Sequence, residues 1–239
     1  LDLNINNNNR TVTYVEGREL GEIWGFETIG IAKSDQEMEQ HLANVGGQDA
    51  LGTKWAAGDI MYKDLDGKPG ITRGAQTLDD HGDLKVIGNS TPRYFFGIDL
   101  SADWKGFDLR CFFQGVLKRD YWGNGNFLGY LFGVQGDQGM WWTHGLQEHS
   151  DYFRAEAIGV EGHMIPANLD AYYPRPIFET MKNQYAQTRY LQDASYIRLK
   201  NLSIGYTLPA TWMKKISLTK CRIFISGENL WTGTKLSSL

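Results

Sequence analysis

At 239 residues the chain is long enough for one or two domains. Hydrophobic residues at 41% and charged residues at 22% exclude a disordered polymer. The net charge of −4, from 24 Lys and Arg against 28 Asp and Glu, gives no basic footprint for nucleic acid. No stretch approaches the eighteen or so apolar residues of a membrane-spanning helix, a test that barrel strands never meet.

The chain opens Leu1-Asp2-Leu3-Asn4-Ile5-Asn6, without the basic and apolar regions of a signal peptide, and reads like the interior of a longer protein. Thr11 to Glu16 and Glu22 to Ile31 read as strands around a turn at Gly17 to Gly21. Ser34 with Glu37 three residues later is a capping-box pattern, predicting a short helix to about Leu42 that Gly46-Gly47 ends. Asp59 to Lys63 is a short strand. The loop after it, Asp64 to Asp83, begins with carboxylates at alternate positions before a turn glycine. Asp64 and Asp66 are therefore candidate calcium ligands, against a plain acidic turn. Lys68 stands among them and Ala75 holds the twelfth position where a Glu is expected, so the turn is the favoured reading.

Tyr94 to Trp104 and Phe107 to Val116, joined at Lys105-Gly106, carry the most information. Tyr94, Phe96, Ile98, Leu100, Ala102 and Trp104 alternate with Gly97, Asp99, Ser101 and Asp103; Phe107, Leu109, Cys111 and Phe113 alternate with Asp108, Arg110, Phe112 and Gln114. Alternation marks a strand with one apolar and one wet face. Each run has the nine to eleven or so residues that cross a bilayer at a tilt. Ionised side chains on the second face are costly in a dry core, which suggests lipid on one side and a watery lumen on the other.

Leu117 to Arg189 has little periodicity, and loops of this length are commonly functional. Its aromatics Tyr121, Trp122, Trp141 and Trp142 are candidates for ligand or partner contact, with packing of the loop on itself as the competing role. Tyr196 to Leu208 and Lys220 to Glu228 read as further strands, with a short helix after Pro209. Short connections at Lys105-Gly106 and Pro209 to Thr219 thus oppose long ones at Asp64 to Asp83 and Leu117 to Arg189, as in outer-membrane barrels. By alternation Asp99, Asp103, Asp108, Arg110, Gln114, Arg222 and Glu228 share the wet, lumen-facing side. Cys111 and Cys221 fall at apolar-facing positions and read as free thiols. The five histidines form no metal pattern, and no nucleophile elbow or phosphate loop is present, so the chain does not read as an enzyme.

Several blocks are family-specific: Leu20 to Thr28 (LGEIWGFET), Gly58 to Gly67 (GDIMYKDLDG), Val86 to Tyr94 (VIGNSTPRY) and Lys105 to Leu109 (KGFDL) with Phe112 to Gly115 (FFQG). Thr188 to Leu202 (TRYLQDASYIRLKNL), Gly205 to Pro209 (GYTLP) and Ser226 to Leu230 (SGENL) complete them. With these the chain resembles the C-terminal part of SusC/RagA-family TonB-dependent transporters, the outer-membrane nutrient importers of Bacteroidetes. The resemblance implies an all-β fold: antiparallel strands from the C-terminal portion of a 22-stranded transmembrane β-barrel enclosing a plug, with long extracellular loops and short helices. Residues 1–239 are expected to be a fragment, with plug and last strands absent. Implied partners are a SusD-like surface lipoprotein, TonB through the plug, an oligosaccharide or peptide substrate, and outer-membrane lipid; no cofactor beyond candidate calcium is implied. The rival expectation is a soluble all-β carbohydrate-binding or adhesion module, whose apolar strand faces pack on a second sheet.

Overall fold

In the computed structural model, residues 18–123, 150–177, 182–215 and 217–236 are described. The expected strand at Thr11 to Glu16 lies outside them. The described residues divide into two units, one within 18–90 and 121–191, the other within 91–120 and 192–236.

The second unit is a four-stranded antiparallel sheet. It comprises β5 (Phe95–Trp104), β6 (Phe107–Val116), β9 (Tyr196–Thr207) and β10 (Arg222–Thr234), with α2 (Ala210–Lys215) between the last two. Spatial order is β10-β9-β6-β5. Lys105 and Gly106 both take positive φ, 47° and 89°, the backbone of the two-residue turn that matches strand twist. Trp104 opposes Phe107, and the Thr207 amide donates to the Gly106 carbonyl, 2.7 Å. The Leu208 amide donates to Cys221, 3.0 Å, so the β9–β10 connection leaves from the same end. Val116 and Tyr196, which bound the long connection, pair at the other end, as the alternation of short and long connections predicts. The Asp64 to Asp83 segment belongs to the first unit and is not a connection of this sheet.

Register places Ile98, Phe113, Leu199 and Trp231 in one row across the sheet. Leu100, Cys111, Leu202 and Gly227 form the next, then Ala102, Leu109, Ile204 and Ile225, and finally Trp104, Phe107, Tyr206 and Ile223. In β9 the apolar residues run Ile197, Leu199, then Leu202, Ile204: the sequence changes phase by one residue at Lys200. Left alone, that slip would turn half the strand inside out. A β-bulge between Leu199 and Asn201 absorbs it against both neighbours. Lys200 Nζ donates to Asn229 Oδ1, 3.0 Å, with Asn229 at φ 53° on the partner strand.

The first unit has a mixed core. The expected strand Glu22 to Ile31 is two strands, β1 (Glu22–Phe26) and β2 (Thr28–Ile31). β1 pairs with β4 (Leu84–Asn89) and β2 with β3 (Ile60–Tyr62), so the chain breaks at Glu27 to serve two sheets. Helix α1 (Asp35–Val45) begins where the Glu37 amide donates to Ser34 Oγ, 3.1 Å, and ends at Gly46 in the left-handed conformation. A hairpin, β7 (Ile158–Val160) with β8 (His163–Ile165), lies within the segment of little periodicity.

Asp59, fully buried, organises this core. It accepts from Arg175 Nε at 3.0 Å, Lys182 Nζ at 2.7 Å, Asn183 Nδ2 at 2.9 Å and the Ala56 amide at 2.9 Å. Burial pushes its carboxyl pKa up, but the hydrogen bonds from Arg175, Lys182 and Asn183 outweigh that and hold it below the ordinary value. Asn183 Oδ1 in turn accepts from the Ile60 amide, fixing β3. A carboxyl with a depressed folded pKa contributes stability above its unfolded value of about 3.9, lost as pH falls through the folded pKa. In the full-length receptor, the exchange protection of the Ala56 and Ile60 amides, taken relative to their intrinsic rates at each pH, should therefore fall on acidification below about pH 4. Asp59→Ala, which leaves Lys182 (2% exposed) uncompensated, should cost about 3–5 kcal/mol in local opening at neutral pH.

Candidate functional site

The opposite face of the four-stranded sheet collects polar side chains from strands far apart in sequence. Gly97, Gln114, Arg198 and Thr232 share a row; Asp99, Phe112, Asn201 and Glu228 the next; then Ser101, Arg110, Ser203 and Ser226; then Asp103, Asp108, Gly205 and Phe224. Arg222 lies opposite Thr207 on the same side. All seven residues assigned to a lumen-facing side by alternation thus fall on one face: Asp99, Asp103, Asp108, Arg110, Gln114, Arg222 and Glu228.

Two ion pairs cross it. Arg110 grips Asp99 in a fork, Nε to Oδ1 3.1 Å and Nη2 to Oδ2 2.5 Å. The second pair, Arg222 with Asp108, joins β10 to β6 over the intervening β9: Arg222 Nε donates to Asp108 Oδ1 at 2.9 Å and Nη2 to the other oxygen. It can do so because β9 presents Gly205 there. A Cβ on that glycine would sit 2.5 Å from Arg222 Nη2 and 2.6 Å from Asp108 Oδ1. Arg198 Nε adds a hydrogen bond to Thr232 Oγ1, 2.9 Å. Asp99, Arg110, Phe112 and Asn201 line a recess of about 370 Å³. Alternation places Phe112 on this face, whereas Asn201 escapes a sequence reading because the bulge shifts its phase.

The aromatics of the long segment separate. Trp122 is 8% exposed, within a cluster holding Phe26, Tyr62, Phe153 and Tyr173. Its burial supports packing. Tyr121 is 45% exposed and keeps a surface for contact. Trp141 and Trp142 lie outside the described residues.

Asp64 and Asp66 come together with Asp83, far along the chain and so invisible to a spacing rule; one ligand atom of each lies within 4.8 Å of the others. Most of these oxygens are already used. Asp64 Oδ1 accepts from the Gly67 amide at 2.7 Å, and Asp66 Oδ1 from the Lys68 amide at 2.9 Å. Lys68 Nζ stands 3.2 Å from Asp66 Oδ2. Asp83 accepts from the Leu65 and Thr72 amides, both at 2.7 Å. The Lys68 amide, foremost, and its ammonium hold the Asp66 pKa below the ordinary carboxyl value.

Removing the space at Gly205 should test the cross-strand pair. Gly205→Ala should destabilise the sheet by about 1–3 kcal/mol through overpacking, and a double variant with Arg222→Ala should lose part of that penalty. Trp122→Ala should cost about 3–5 kcal/mol, seen as raised protease sensitivity of the first unit.

No family model matches the chain. It is 29% identical over 224 residues to TonB-dependent receptor P3 of Formosa agariphila, covering 92% of this chain and 18% of that protein. Receptor P26 of the same organism is 23% identical over 181 residues, covering 70% and 16%. The RagAB peptide transporter structure superposes with a TM-score of 0.52 at 20% identity, over 90% of this chain and 19% of that chain, and so shares the fold. This chain thus spans under a fifth of the length of each. Over most of its length the chain is thus similar to TonB-dependent receptors, and it shares its fold with a stretch of the RagAB peptide transporter.

Proposed function

We propose that residues 1–239 are a C-terminal portion of an outer-membrane importer, supplying barrel wall and long loops while a plug elsewhere in the full-length receptor couples to TonB. The observation that carries this reading is the two-faced sheet. One face is apolar and open to its surroundings: Leu100 is 55% exposed, Trp104 68%, Ile223 62% and Ile225 80%. The other carries the ion pairs. Ten-residue strands are about 33 Å long, and a tilt of about 45° shortens that to about 23 Å, close to the roughly 25 Å apolar band of a barrel. A soluble module would cover such a face with a second layer.

The cargo in this reading is an oligosaccharide or peptide too large for passive diffusion, captured with a SusD-like surface lipoprotein. Both relatives are receptors and the structural neighbour is a peptide transporter, which supports import over catalysis. The test is the full-length gene deleted in its host. Growth on particular oligosaccharides or peptides should fail, and a tagged receptor should co-purify a surface lipoprotein. Unchanged growth on every polymeric nutrient, with no lipoprotein recovered, would overturn the assignment.

Face assignment is tested separately. In the assembled receptor, cysteines placed at Ser101 and Ser203 should react with a water-soluble maleimide, while those at Leu100 and Ile204 should not. Leu100→Arg should cost about 2–4 kcal/mol near the bilayer midplane. The acidic turn, in the same proposal, is held by its own amides and Lys68 and needs no calcium. Chelation should leave the thermal unfolding temperature unchanged, and a calcium-dependent rise would refute this.

A further inference from the structure

The end of the sheet that bears the short connections has a chemistry unlike the rest of the chain. Between Asp193 and Glu228 there is no acidic residue, and the β9–β10 connection carries Lys214, Lys215 and Lys220. Lys105, in the β5–β6 turn, adds a fourth cation to the same end. All four are exposed, and none forms an ion pair among the described residues. Asp108, the nearby carboxylate, is taken by Arg222. At the opposite end, by contrast, Lys235 stands 3.6 Å from Asp193.

The cations are interleaved with exposed apolar rings. Trp104 is 68% exposed, Trp212 58% and Leu218 51%, whereas Met213 at 3% pins α2 in place. Lys105 Nζ lies 5.0 Å from the centroid of the Trp104 ring. The Tyr206 and Phe107 rings pack beside it at a tilt, centroids 4.4 Å apart, closing the apolar face with a row of rings. Indoles at a boundary between dry and wet surroundings, with long cationic side chains reaching past them, fit the glycerol and phosphate level of a bilayer.

We infer that this rim, through Lys105, Lys214, Lys215 and Lys220 with Trp104 and Trp212, binds the phosphates of anionic phospholipid in the leaflet that meets the short turns. The inference rests on the barrel-wall reading above. Charge complementarity selects the lipid: four unpaired ammonium groups at the headgroup level attract an anionic surface and gain little from a zwitterionic one. The rim would fix the depth of the barrel and supply a lipid-dependent stability that the apolar face alone does not provide.

The experiment uses the full-length receptor in phosphatidylcholine vesicles, with and without phosphatidylglycerol. Wild type should retain phosphatidylglycerol through detergent extraction and unfold at a higher temperature in its presence. A Lys105→Gln, Lys214→Gln, Lys215→Gln, Lys220→Gln variant should insert normally but retain the lipid roughly tenfold less. The matching four-fold Lys→Arg variant should behave as wild type, and high salt should abolish the difference. If the glutamine variant does not assemble, the pair Lys214→Gln with Lys215→Gln on exposed helix positions replaces it. Equal retention by inserted wild type and glutamine variant would overturn the inference and leave the barrel reading intact. A wild-type receptor that inserts in neither vesicle would overturn the barrel reading itself.

Discussion

Everything in the sheet depends on keeping apolar side chains in phase across four strands. A strand has only two faces, so one residue too many in any strand would carry the rest of its apolar set to the wrong side. The bulge at Lys200 supplies the correction where the β9 sequence changes phase. With it, Leu199 and Leu202 share a face despite their odd spacing. The continuous apolar surface, the charged surface behind it and the recess beside Asn201 all follow from that one local irregularity.

The charged face shows a second dependence. Salt bridges between exposed groups contribute little singly, about 0–1 kcal/mol. Their value here lies in geometry. Arg222 reaches Asp108 only because the intervening strand offers a glycine, so two non-adjacent strands are tied through side chains as well as through backbone. Each pair keeps part of its surface in solvent, so it holds its charges with little desolvation. The same pairs within a dry sandwich would carry a desolvation penalty of several kcal/mol per ion.

The first unit solves a different problem. Its strands are short and its connections long, so regular backbone pairing satisfies few of its buried groups. Side chains take over: Asp59 gathers Arg175, Lys182 and Asn183, while Gln48 Oε1 accepts from the Tyr62 amide at 2.7 Å and its amide donates to the Ile60 carbonyl at 3.2 Å. A unit built this way holds a defined shape without a continuous sheet.

The alternation in β5 and β6 determined strand type, length and faces by itself, because side-chain direction in a strand follows from position alone. The helix caps at Ser34 and Gly46 and the tight turn at Lys105-Gly106 were legible for the same reason: each is a local rule. Tertiary structure alone decided the rest. The bulge that aligns Asn201, the division of residues 22–31 between two partners, the arrival of Asp83 beside Asp64 and Asp66, and the burial of Trp122 all require segments distant along the chain to meet. Whether an aromatic packs or protrudes, and whether a carboxylate is free or held, is set by neighbours that no spacing rule contains. Local geometry is written residue by residue; the company each residue keeps is settled only when the chain closes on itself.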